Sequence, residues 1–300
     1  MKIAVTGGAG FIGSHLTDAL IADAHDVVVI DDLSSGKKEF VNNKASFVNK
    51  DIRTDLSKEF TGIHTVFHLA ADPDVRSSAA NPEKSFDQNV VGTFRVLESC
   101  RKAGVKHIVF ASTSTVYGET DVIPTPETHS CRPISNYGAS KLACEAYISA
   151  YCGSYGMKGT VLRFANIFGE RSTHGVMFDF FNKLKKNPDE LEILGDGKQD
   201  KSYLHISDCI SAILFAWKNQ KLDYDVFNVG SKEKHNVDAL ARIMCKALDL
   251  DPEFVYTGTP RGWVGDMKVM LLDTRKIENL GWKANMGFKD AVLSYVDSLR

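Results

Sequence analysis

Five short runs in the first half of the chain carry apolar residues almost without a break: 3–5, 27–30, 66–69, 108–110 and 161–162. A strand with one wetted face alternates apolar and polar residues, whereas a continuous run marks a strand covered on both faces. Between these runs lie helical patterns, over roughly 11–23, 83–103 and 135–155. Strand–helix–strand alternation predicts a parallel, doubly wound α/β sheet, and right-handed crossovers put helices on both of its faces.

After about residue 166 the regularity loosens. A glycine-rich charged segment, Gly195-Asp196-Gly197-Lys198-Gln199-Asp200, separates two apolar patches. Residues 226–229 look like one more buried strand, and 236–248 is an amphipathic helix with Asn236 or Asp238 near its start. The expected organisation is a Rossmann-type parallel sheet over 1–166, with a segment near 204–230 returning to it. A smaller C-terminal α/β domain takes most of 167–300. A chain of 300 residues is long enough for such a core.

Composition excludes more than it selects. Apolar residues make up 43% and charged residues 25%, as in an ordinary soluble globular protein. The net charge is −2 with both signs mixed, which argues against a nucleic-acid partner. No apolar run reaches the ~18 residues of a membrane span. The opening Met-Lys-Ile-Ala-Val-Thr reads as a strand rather than a secretion signal. The six cysteines (Cys100, Cys131, Cys144, Cys152, Cys209, Cys245) form no Cys-x-x-Cys pair. Reduced thiols in a cytoplasmic protein, with no metal, are therefore expected. His68 and His107 sit inside apolar runs and read as packed strand residues.

The first strand runs into Gly7-Gly8-Ala9-Gly10-Phe11-Ile12-Gly13 and then a helical pattern. Gly7, Gly10 and Gly13 permit a tight turn, a close approach of backbone to a pyrophosphate, and close helix–strand packing. The helix N-terminus behind them offers free N–H groups and the positive end of its dipole. A glycine trio alone often marks only a turn, but the strand before and the helix after favour a dinucleotide site. The second strand ends in Asp31-Asp32, and Asp31 lies 18 residues after Gly13. An acid there holds the ribose hydroxyls and repels a 2′-phosphate, which favours NAD over NADP. Asp32 reads either as a second ligand or as a solvated acid at a strand end.

Tyr137-Gly138-Ala139-Ser140-Lys141 lies in the helical pattern 135–155. Positions i and i+4 share a helix face, so the phenol and the ammonium can approach one site. A free tyrosine, with a pKa of ~10, is a poor base at neutral pH. A nearby Lys cation and the positive nicotinamide ring favour the phenolate. Taken alone, Tyr-x-x-x-Lys is a common coincidence. The run Ser112-Thr113-Ser114-Thr115 follows the strand at 108–110, and ligands of doubly wound sheets bind at the C-terminal ends of strands. Such a hydroxyl-rich stretch can equally be a turn.

These motifs occur with Asp51-Ile52, His68-Leu69-Ala70-Ala71, Asn89 in Asn89-Val90-Val91-Gly92-Thr93, and Leu162-Arg163-Phe164-Ala165-Asn166. Taken in order, they resemble the sugar-nucleotide epimerase/dehydratase group of the extended short-chain dehydrogenases/reductases, over nearly the whole chain. The resemblance implies NAD held by Gly7, Gly10, Phe11, Ile12, Gly13, Asp31 and Asp32. Asp51 and Ile52 would sit by the adenine, Leu69, Ala70 and Ala71 would line the cofactor, and Asn89 would meet its pyrophosphate side. Tyr137 is implied as the base, with Thr113 its hydroxyl partner and Lys141 beside it. Asn166, Lys201 and Arg261 would hold the substrate diphosphate.

The implied chemistry is inversion of C4 of a UDP-hexose, of the UDP-glucose/UDP-galactose type, through a transient 4-keto sugar. Dehydratases of the group place an Asp-Glu pair directly after the Thr of the hydroxyl loop, where this chain has Ser114-Thr115. Three positions depart from the epimerase pattern. Lys201 and Trp263 stand where arginines are usual, with Arg261 nearby, and Arg76 falls where some epimerases have Lys. Met270 is expected near the sugar ring. Epimerases of UDP-N-acetylhexosamines or UDP-uronates, and reductases, stay open as alternatives, as does a non-catalytic NAD-binding module. A homodimer through helices near 83–103 and 135–155 is implied by analogy.

Overall fold

The computed structural model describes residues 1–258 and 267–300. The first part of the chain forms β1 (Lys2–Thr6), α1 (Phe11–Ala22), β2 (Asp26–Asp31), β3 (Ser46–Asn49) and β4 (Thr65–His68). It continues through α2 (Pro82–Ser85), α3 (Gly92–Ala103), β5 (His107–Thr113), α4 (Asn136–Tyr155) and β6 (Lys158–Phe164). Then come β7 (Asn166–Phe168), α5 (Val176–Lys186), β8 (Glu190–Ile193), β9 (Asp200–His205), α6 (Ile206–Asn219), β10 (Tyr224–Val229) and β11 (Lys234–Asn236). The last elements are α7 (Val237–Leu248), β12 (Glu253–Tyr256), β13 (Val269–Met270), α8 (Arg275–Asn279) and α9 (Phe288–Leu299).

Two compact units result. One takes Met1–Glu119, Glu127–Phe164 and Ile213–Phe227; the other takes Thr120–Pro126, Ala165–Ala212 and Asn228–Arg300. The main sheet has seven strands in the order β10-β6-β5-β4-β1-β2-β3. Pairings from β6 across to β3 are parallel. The order reverses direction at β1, with β2 on one side and β4 on the other. That reversal opens a crevice above the carboxyl ends of β1 and β4, where ligands of such sheets bind. The continuous apolar runs become strands with both faces covered: Ile3, Val29, Val66, Phe67 and Ile108 are all buried. One face packs Leu56, Phe60, Leu97, Cys100, Phe110 and Ile148 into a single cluster. Each such side chain contributes about 1.5–3 kcal/mol by leaving water.

Residues 83–103 are helical throughout, as expected, but with a π-helical segment, Phe86–Val91, between α2 and α3. The extra residue in that turn goes with an inward-facing Asn89, 1% exposed. Ser112 and Thr113 belong to β5 itself, and only Ser114–Val116 make the turn that follows. In the second unit β11, β9 and β13 pair in that order, β7 pairs with β9, and β8 pairs with β12. Its core gathers Phe168, Met177, Leu191, Leu240 and Tyr295.

Candidate active site

The chain leaves β1 at Gly7 with φ +73°, a left-handed conformation that a Cβ would strain. A Cβ at Gly7 would also stand 2.6 Å from the Ala70 nitrogen, and one at Gly13 would stand 2.1 Å from the Gly7 oxygen. Backbone therefore packs directly on backbone where β1, the turn after β4 and α1 converge. Gly10 caps α1 without a side-chain bond, and the first turn holds no acid. The N–H groups of that turn, at Phe11 and Ile12, are left without a side-chain cap, as a pyrophosphate site requires.

At the end of β2 the Asp31 carboxylate accepts the N–H groups of Ala9 and Leu33, both at 2.9 Å, which ties it into this cradle. Burial raises its pKa against those two bonds. The cradle thus fits a dinucleotide. The Asp32 carboxylate instead accepts the N–H and hydroxyl of Ser34, so it braces a turn.

The flanking residues divide into lining and bracing. Leu69, Ala70 and Ala71 follow β4 directly and are half-buried, with the Leu69 N–H bonded to the Thr6 carbonyl at 3.1 Å. Ile52 is buried against Gly92, where a Cβ would come within 2.6 Å of it. Asp51 is held by Arg53, whose hydrogen bond keeps its carboxyl below the usual range. The Asn89 side chain is bonded within the protein. Its Oδ1 accepts the Asp72 N–H at 2.8 Å, and its Nδ2 donates to the Asp72 carbonyl and the Ser140 hydroxyl. Asn89 is a brace between the turn after β4 and α4.

Helix α4 begins at a serine cap: the Ser135 hydroxyl accepts the Gly138 N–H at 3.1 Å. That cap sets Tyr137 in the first turn, where its hydroxyl meets that of Thr113 at the end of β5. One turn on, buried Lys141 donates to the Ala111 carbonyl at 2.9 Å. Burial pushes its ammonium down to about 8, opposed by Cys144 and Glu145. Burial also pushes the Tyr137 phenol well above its ordinary value, and the Thr113 hydrogen bond opposes that shift. The Thr113 hydroxyl thus favours the phenolate.

His68 and His107 are packed strand residues, as expected. His68 bonds Thr6 and Thr93, and His107 bonds Thr160. All six cysteines are free thiols.

Sequence reasoning missed Glu145. It lies two turns beyond Tyr137 on the same helix, and its carboxylate is bonded by Ser112 and Arg163. The i, i+4, i+8 spacing from Tyr137 was the available signal.

In the second unit Asn166 opens β7 and donates from Nδ2 to the Ser202 carbonyl at 3.0 Å. Lys201 lies on the adjacent strand β9, in register with Met270 of β13. Met270 is buried. Arg261 and Trp263 lie outside the described residues.

The model of the NAD dependent epimerase/dehydratase family matches residues 3–230. The chain belongs to this family. A solved UDP-galactose 4-epimerase is 43% identical, with a TM-score of 0.91 over 100% of this chain and 98% of its own. The UDP-glucose 4-epimerase of Thermotoga maritima, solved with UDP-glucose, is 35% identical, with a TM-score of 0.94 over 100% and 98%. That of Thermus thermophilus, solved with NAD, is 34% identical, with a TM-score of 0.90 over 99% and 98%.

As a family member the chain is an NAD-dependent enzyme. Its cradle at β1 and its Tyr137–Thr113 pair at β5 lie along the same carboxyl edge of one sheet. No helix among the described residues is long and apolar enough to cross a membrane.

Proposed function

We propose that this protein interconverts UDP-glucose and UDP-galactose by inverting C4, with NAD used and regenerated in place. The observation that carries this reading is the Tyr137–Thr113 hydroxyl pair at the end of β5, with Lys141 one turn behind it. Tyr137 takes the proton from the C4 hydroxyl, and Thr113 hydrogen-bonds the phenolate that results. NAD held in the cradle would supply the hydride acceptor for C4 and the hydride donor for the return step. Tyr137 then gives the proton back to the inverted oxygen, so no co-reactant is consumed. Lys141 holds a positive charge in a site that excludes water and anchors α4 to Ala111.

Ser114 and Thr115, in the turn after β5, supply hydroxyls where loss of water from the sugar needs an acid and a base. That disfavours dehydration. Residues 1–166, with the return near 204–230, bind NAD through the cradle residues and Asp31. Residues 167–300 mainly bind the sugar nucleotide, with Asn166, Lys201 and Arg261 on its diphosphate. Six free thiols suit a reducing cytoplasm.

Proton NMR of the protein with UDP-galactose and NAD⁺, beside Tyr137→Phe, tests this. Appearance of UDP-glucose, slowed about 10²–10⁴-fold in the variant, is expected. Conversion of UDP-N-acetylhexosamines or UDP-uronates alone would move the substrate. No conversion of any UDP-sugar by NAD-loaded protein overturns the reading.

A further inference from the structure

Tyr137, Lys141 and Glu145 stand at i, i+4 and i+8 and share one face of α4. That face meets the end of β5 at three successive residues. Tyr137 bonds Thr113, Lys141 donates to the Ala111 carbonyl, and Glu145 Oε1 accepts from Ser112 Oγ at 2.5 Å. Arg163 of β6, in register with Ser112, closes the arrangement. Its Nη2 is 2.6 Å from Glu145 Oε2 and its Nε 3.0 Å from Oε1, while Nη1 donates to the Tyr117 hydroxyl at 2.9 Å. Arg163 therefore ties α4, β6 and the turn after Thr113 together. Glu145 is 3% and Arg163 6% exposed. Burying such a pair costs several kcal/mol of hydration per ion, and apolar residues of the same volume would pack as well. Packing alone does not account for it.

We propose that Glu145, neutralised by Arg163, is a positioning residue for the reaction: it locks α4 onto the end of β5 and so sets where the Tyr137 and Thr113 hydroxyls meet. The proposal rests on the epimerase reading above. Glu145 has a second effect, on charge. Lys141 is faced by Cys144 and Glu145 from its own helix, by neutral His68 from β4, and by the Phe110 ring and Ala111 carbonyl from β5. Glu145 is the carboxylate among them. Without it, Lys141 would lose its proton at a lower pH.

The test measures kcat, KM and the pH profile for Glu145→Gln, Glu145→Asp and Ser112→Ala, with a crystal structure of each. Glu145→Gln is expected to lower kcat about 10–100-fold with KM little changed, because a hydroxyl displaced by an ångström is enough for that. Its alkaline limb should move to lower pH, and Glu145→Asp should restore part of both. Ser112→Ala should lower kcat less and leave the limb in place. Wild-type kcat and an unmoved limb in Glu145→Gln overturn the proposal. Where that variant yields no folded protein, Ser112→Ala decides: unchanged kcat with the Tyr137–Thr113 contact intact overturns it. A wild-type protein that converts no UDP-sugar sinks the epimerase reading instead. In that case the variant structures decide this one, an intact hydroxyl contact in each counting against it.

Discussion

A buried phenol holds its proton, so chemistry at Tyr137 depends on what stabilises the phenolate when the proton moves. The Thr113 hydroxyl, bonded to it, is one such group. Lys141 is held one turn away on the Ala111 carbonyl, with a pKa pushed down to about 8. A second cation beside it would lower it further. The neighbour that could carry one, His68, is pushed by burial down to about 3 and stays neutral. This has a consequence for stability. Below pH 6.5 the unfolded chain takes up a proton at His68 that the folded chain refuses. The contribution of His68 is therefore fully present above pH 6.5 and is lost as pH falls toward 3, at about 1.4 kcal/mol per pH unit. Urea unfolding of His68→Gln between about pH 6.5 and 4 should show an acid slope shallower than wild type by about that amount. Equal slopes would mean that His68 is protonated in the fold.

Elements whose sequence carries one unambiguous period were readable, and those that depend on a partner were not. β1, the glycine turn and α1 announce themselves because backbone contact permits only glycine at Gly7 and Gly13. Helix α4 was legible from its cap to Tyr155. The π-helical turn inside 83–103 was not, because helical spacing does not encode it or the bonds that Asn89 makes from it to Asp72 and Ser140. The edge strand β3 was invisible for a related reason: being half-exposed, it lacks an apolar run. In the site, Tyr137, Thr113 and Lys141 were legible as a set, while Glu145 emerges only once β5 and β6 stand side by side. The glycine contact yields its own prediction. Gly13→Ala puts a methyl 2.1 Å from the Gly7 oxygen, so α1 must shift away from the turn and carry its N-terminal N–H groups with it. Calorimetric titration should then find NAD⁺ binding lost or weakened by at least about tenfold while the far-UV spectrum stays helical. Unchanged affinity would show that the pyrophosphate does not rest on that helix end.

At the scale of the molecule, one surface of the first unit remains to be explained. Helices α3 and α4 pack against each other, yet they leave large aromatic groups in water. Tyr147 is 44% and Tyr155 53% exposed on α4, and Phe86 of the π-helical segment before α3 is 59% exposed. Phe94 of α3 packs edge-on against Tyr147 and Tyr151, and the buried Tyr151 packs against Tyr155, so these four rings form one cluster that surfaces at Tyr147 and Tyr155. A contiguous aromatic patch on a surface marks an interface. Because it spans two neighbouring helices, a second copy can meet it through a two-fold axis, with four helices burying the same rings from both sides. A homodimer through this face is the expected assembly, and light scattering after gel filtration should give about twice the 33.1 kDa of one chain. Tyr147→Glu with Tyr155→Glu places like charges against each other across the axis. That variant should elute as a monomer with its helix content intact. A wild-type protein that is monomeric at micromolar concentration, or a charged variant that stays dimeric, would move the interface elsewhere.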